Sequence, residues 1–120
     1  MAKIMTVDDS VSLRKLVASA LQAAGHAVSE ADSGATALTV AQTTSFDLVI
    51  SDLNMPGMDG LTLVSQLRKL PSYRSTPILI LTTEMDPQKK QAAKAAGATG
   101  WLVKPFDPAQ LLATIRKVLD

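Results

Sequence analysis

Short apolar runs alternate five times along the chain with stretches whose apolar residues recur at helical spacing. The runs include Ile4-Met5-Thr6-Val7, Phe46 through Ser51, Ile78-Leu79-Ile80-Leu81 and Trp101-Leu102-Val103. They predict strands at about 3–8, 26–31, 46–52, 76–82 and 100–104, each apolar on both faces as buried parallel strands are. The first helix should follow Ser10, a good N-cap, with Leu13, Leu16, Val17, Ala20, Leu21 and Ala24 on its apolar stripe and Gly25 as its stop. A second, Ala-rich helix follows Ser33-Gly34, and a third follows Asp59-Gly60 and carries Leu61, Val64, Leu67 and Leu70. The fourth and fifth open with Asp86-Pro87 and Asp107-Pro108, an Asp cap before Pro at the first helical position. Gln110 is placed to complete a capping box with Asp107, and Gly97 to close the fourth helix. Alternation of this kind argues for βαβ units and an α/β fold around a parallel sheet.

In an open parallel sheet the carboxyl ends of the strands share one edge, and ligands bind there. Asp8 and Asp9 end the first run, Asp52 the third, Thr82-Thr83 the fourth, and Lys104 the fifth. Each has an ordinary explanation by itself: Asp8 and Asp9 as helix-entry acids, Thr82 as a β-former, Lys104 as a solvated cation. Together, three carboxylates on neighbouring strand ends repel one another, and a divalent cation removes the conflict. Asp52 is then either a ligand alone or also a nucleophile, since carboxylates form acyl phosphates. Lys104 would contact a phosphate as a point charge, with the Thr82 hydroxyl beside it. The Lys104-Pro105 bond is trans by default; a cis bond would be a means of aiming Lys104. Pro56, Gly57 and Gly60 are accounted for by turn chemistry, and His26, the sole histidine, by a structural role. Lys89, Lys90 and Lys94 form either a solvated helix face or part of a docking surface.

The chain has 120 residues, the size of one domain, and the reading is a single domain over 1–120 with no output domain. It is 47% apolar and 19% charged, which suits a globule with its own core. A net charge of +1 gives no bulk attraction to nucleic acid or anionic lipid, and no apolar run reaches membrane-span length. The absence of cysteine excludes disulfides and thiolate chemistry and fits a cytoplasmic location.

The acid pair Asp8-Asp9, the Asp52 motif with Met55-Pro56 and Gly60, then Thr82, then Lys104-Pro105-Phe106 resemble, over the whole chain, the receiver domain of two-component response regulators. The closest likeness is to single-domain chemotaxis regulators of the CheY type. The resemblance implies a flavodoxin-like sheet of order 2-1-3-4-5. It implies that Asp52 accepts a phosphoryl group from a histidine kinase. Mg²⁺ would be held by Asp9, Asp52 and the backbone carbonyl of Asn54, with Asp8 helping through water. Lys104, Thr82 and the backbone of Thr83 would contact the phosphoryl oxygens, Thr82 and Trp101 would form the switch, and Asn54 and Glu84 would tune hydrolysis of the acyl phosphate. Thr83 stands where the family usually has Ala or Gly, and Trp101 where Tyr, Phe or His is commoner. The implied protein is a monomer and no enzyme beyond its own phosphorylation and dephosphorylation. Its partners would be the kinase, a flagellar motor switch protein or another phosphorylation-dependent target, and a phosphatase. Rival readings are a phosphate shuttle or sink, a metal-dependent phosphohydrolase, and a flavin module. The hydrolase lacks a cap domain or long insertion for its substrate. The flavin module is opposed by Asp8-Asp9-Ser10, which would repel a cofactor phosphate.

Overall fold

Five strands, β1 (Lys3–Val7), β2 (Ala27–Ala31), β3 (Leu48–Ser51), β4 (Ile78–Thr82) and β5 (Gly100–Val103), lie parallel in the order β2-β1-β3-β4-β5. The computed structural model describes residues 2–119. Five helices connect and follow the strands: α1 (Val11–Ala23), α2 (Gly34–Thr43), α3 (Gly60–Arg68), α4 (Pro87–Ala96) and α5 (Pro108–Leu119). The flavodoxin-like order expected from the family resemblance is the one observed.

Alternate strand residues face opposite layers, so two cores form. On one side Met5, Val7, Val49, Ile78 and Ile80 pack against Ala37 and Ala41 of α2, Leu63, Val64 and Leu67 of α3, and Ala93 of α4. On the other, Ile4, Leu48, Ile50, Leu79 and Leu81 meet Val17 and Leu21 of α1 and Leu111 and Ile115 of α5. Each fully buried side chain of this size stabilises the fold by about 1.5–3 kcal/mol relative to exposure.

The helix starts follow their caps. Ser10, Ser33 and Asp59 each accept the backbone amide three residues on, and Asp86 and Asp107 accept the amide two residues on. Gly25 and Gly97 adopt the left-handed conformation just past α1 and α4, with φ of 92° and 116°.

Four expectations need correction. β3 is shorter than 46–52, because the Asp47 carboxylate turns aside to accept Lys3 N at 2.8 Å and Asp52 already belongs to the following turn. β2 and β5 are the sheet edges and are only partly buried, so β2 (Ala-Val-Ser-Glu-Ala) alternates rather than running apolar on both faces. The buried stripe of α1 is Val17, Ala18 and Leu21, which leaves Leu16 exposed on the flank. Asp107 caps α5 through the second-position amide, Ala109 N, and exposed Gln110 makes no bond back to it, so the expected capping box does not form. A short 3₁₀ helix at Pro71–Tyr73 was not foreseen; its buried Tyr73 donates to Thr44 O at 2.6 Å.

Candidate metal and phosphoryl site

The turns after β1 and β3 bring Asp8, Asp9 and Asp52 together at the carboxyl edge of the sheet. One oxygen of each carboxylate lies within 4.8 Å of the other two. Backbone pairing sets this register: Asp52 N donates to Val7 O at 2.9 Å, and Asp8 N to Ala31 O at 3.1 Å. The loop after Asp52 then folds back closely. A Cβ on Gly60 would collide with the carbonyl of Asp52, and Gly60 N donates to Leu53 O at 2.8 Å. Gly60 is therefore required by this close approach rather than by turn conformation, while Gly57, at φ 74°, is a turn glycine as expected.

The three acids are unequal. Asp8 is buried; its Oδ1 accepts Ser10 N at 2.9 Å and its Oδ2 pairs with Lys104 Nζ at 3.0 Å. Asp52 is half-buried; its Oδ1 accepts Leu53 N at 2.7 Å and its Oδ2 pairs with the same Nζ at 3.0 Å. Asp9 is exposed and makes no hydrogen bond or ion pair among the described residues. Three carboxylates against one ammonium leave two uncompensated negative charges, the complement of a divalent cation. The donors are all oxygens, with Asp9 open to solvent, and suit a hard cation such as Mg²⁺.

Lys104 reaches the acids from the end of β5, its amide donating to Thr82 O at 2.8 Å, and its bond to Pro105 is cis. Its Nζ sits between Asp8 and Asp52 rather than across the edge from them. Thr82, fully buried at the end of β4, uses its Oγ1 to accept Glu84 N at 3.2 Å. Thr83 and Asn54 are exposed. Glu84 faces its own loop: Oε1 accepts Asp86 N at 3.1 Å and Oε2 pairs with Lys89 at 3.2 Å. The Asp86 amide, with help from Lys89, holds the Glu84 carboxyl below its ordinary range. Trp101 lies opposite Ile80 on β5, half-buried against the α2–α4 core, and lines a groove with Pro87, Lys90 and Lys94 of α4. His26 has the structural role expected: its Nδ1 accepts Ala2 N at 3.0 Å.

A family model for the response regulator receiver domain matches residues 4–116. The chain belongs to the response regulator receiver family. Among curated relatives, this receiver domain is 36% identical to the chemotaxis protein CheY-3 of Vibrio cholerae serotype O1, covering 98% of the chain and 92% of the relative. It is 34% identical to the chemotaxis protein CheY of Pseudomonas aeruginosa, covering 98% and 96%. Among solved structures, CheY4 of Vibrio cholerae superposes on the receiver with a TM-score of 0.95 at 53% identity, covering 98% of each chain.

Arg14 of this receiver also touches the site and was missed in the sequence. Its Nη1 donates to Asp8 O at 2.7 Å and its Nε to Glu30 Oε1 at 2.9 Å. An Arg on a helix carries no signal of a backbone acceptor, so nothing in the sequence singles it out. No helix among the described residues is long and apolar enough to cross a membrane.

Proposed function

We propose that this receiver domain is a single-domain chemotaxis response regulator that takes a phosphoryl group onto Asp52 from a phosphohistidine of a histidine kinase. The observation that carries the reading is Lys104 Nζ, 3.0 Å from Asp52 Oδ2 in a cluster that retains two uncompensated negative charges. An Asp52 carboxylate oxygen attacks phosphorus, the phosphorus–nitrogen bond breaks, and the histidine ring keeps the electron pair. The ammonium of Lys104 then lies where it can meet the transferred oxygens. Asp9, Asp52 and the Asn54 carbonyl would hold Mg²⁺, which offsets charge on the phosphoryl oxygens. Asp8, already engaged by Ser10 and Lys104, would contribute through water. Thr82 and the Thr83 backbone would contact the phosphoryl group.

The phosphorylated state biases an existing equilibrium on the face formed by α4, β5 and α5, read out by a partner such as a flagellar motor switch protein. Asn54 and Glu84 set the lifetime of the acyl phosphate. The domain works in the cytoplasm and catalyses only its own phosphorylation and dephosphorylation.

Intact-mass analysis after incubation with acetyl phosphate and Mg²⁺ tests the chemistry. One labile phosphoryl addition is expected, absent in Asp52→Asn; an undiminished addition in that variant would refute the assignment. Capture with beryllofluoride and Mg²⁺ tests the partner. A motor switch component should be retained only with the mimic. Retention of a histidine phosphotransfer protein instead would point to a shuttle or sink.

A further inference from the structure

Arg14 stands at the fourth position of α1, near the positive end of the helix, where a cation is electrostatically disfavoured. It is nevertheless held tightly, with its side chain only 11% exposed. Its two donors reach in different directions. Nη1 meets the carbonyl of Asp8, and Nε meets Glu30, which is anchored on β2 opposite Thr6. The guanidinium thus ties the turn carrying the acid pair to the neighbouring edge strand. Asp8 is thereby fixed at four points: its amide on Ala31, its carbonyl on Arg14, and its two carboxylate oxygens on Ser10 and Lys104. Asp9, the one unengaged acid, is the next residue, so its direction depends on how firmly the Asp8 carbonyl is held.

We infer that Arg14 is a positioning residue for the cation site: it clamps the Asp8 carbonyl so that Asp9 is presented to the metal in a fixed orientation. This rests on the metal-site reading above. A guanidinium is required, because its planar fork meets a carbonyl and a carboxylate at once, whereas an ammonium is a point charge on a flexible stem. Lys15, the other partner of Glu30, does not touch the acid turn and has no such part.

The sign of the effect separates this role from simple electrostatics. If Arg14 acted by charge alone, removing it would tighten binding of Mg²⁺ to the neighbouring carboxylates. If it positions them, removal weakens binding, by about tenfold as for other residues that orient metal ligands. Calorimetric titration of the metal-free protein with Mg²⁺, with melting temperature in chelator measured alongside, provides the test. Arg14→Gln and Arg14→Lys should both bind Mg²⁺ more weakly, and Lys15→Gln should bind as the unaltered protein does. If Arg14→Gln does not fold, Arg14→Lys, which keeps the charge, decides the matter alone. Unchanged or tighter Mg²⁺ binding in Arg14→Lys would overturn the proposal, as would a lowered melting temperature without weaker binding. Failure of the unaltered protein to bind Mg²⁺ would instead remove the metal reading, and this proposal with it.

Discussion

Arg68 donates to the carbonyl of Gly97 twice, from Nε at 3.0 Å and from Nη2 at 2.8 Å. Its Nη1 reaches the carbonyls of Tyr73 and Thr76, both at 2.6 Å. One guanidinium therefore joins the end of α3, the 3₁₀ helix, the approach to β4 and the end of α4, with no carboxylate partner among the described residues. Burial pushes its pKa below the ordinary arginine value, yet its charge strengthens each bond it makes. Arg68→Met should lower stability by about 2–3 kcal/mol in urea unfolding, because three carbonyls lose their donor at once. Arg68→Lys should recover only part, since an ammonium cannot span the same fork. A loss below about 0.5 kcal/mol in Arg68→Met, the size of an ordinary surface change, would mean that water replaces the guanidinium without cost.

Among the described residues the carboxylate of Asp9 has no counter-charge of its own, whereas Asp8 and Asp52 share Lys104. Asp9→Asn should therefore raise the melting temperature in chelator by about 2–5 °C, equivalent to about 1 kcal/mol. The same change should abolish Mg²⁺ binding. Equal melting temperatures in chelator would mean that the carboxylates do not crowd one another.

Glu30 gives a dependence on pH. Burial pushes its carboxyl up, but hydrogen bonds and charge from Lys15 and Arg14 outweigh this and hold it below the ordinary 4.5. A carboxyl depressed in the folded state stabilises the fold above its unfolded pKa and loses that contribution as pH falls through the folded one. Glu30→Gln should thus be less stable than the unaltered protein at neutral pH, by about 1 kcal/mol or less. The gap should narrow as pH drops below 4.5. A gap that stays constant through acid titration would show that the ion pairs contribute nothing.

Trp101 is the only tryptophan, so its emission reports one place. It is half-buried against the core and lines the groove beside α4. Beryllofluoride with Mg²⁺ should shift its emission intensity or wavelength, and Asp52→Asn should remove the shift. If the proposed switch turns Trp101 inward behind Thr82, over-packing, which typically costs about 1–3 kcal/mol, should make that state harder to populate for an indole than for a smaller ring. Trp101→Tyr should consequently respond more completely to the mimic, measured by amide exchange on α4. Identical emission and quencher access in fully loaded protein would mark Trp101 as a static cover.

Asp8, Asp9, Asp52, Thr82 and Lys104 were legible in the sequence because each ends an apolar run, and parallel topology gathers such ends at one edge. The five helix starts were legible because Ser or Asp caps precede them. Arg14 and Arg68 were not, because their acceptors are mostly backbone carbonyls, which every residue possesses. The ion pair of Lys104 with Asp8, 96 residues away, depends on tertiary placement that no local pattern encodes. Leu16 misled for a different reason: 3.6-residue periodicity allows two adjacent stripes, and packing against the sheet selects between them.

The amide of Glu84 rests on the hydroxyl of Thr82. In the proposed cycle, that hydroxyl is the group that meets the phosphate, and Glu84 is one of the residues that governs its hydrolysis. Turning the hydroxyl toward the phosphate would take from the Glu84 amide the acceptor it now has, leaving the loop held by the Glu84 carboxylate on Asp86 and Lys89. Receiving the message and starting the clock that erases it are then one atomic event.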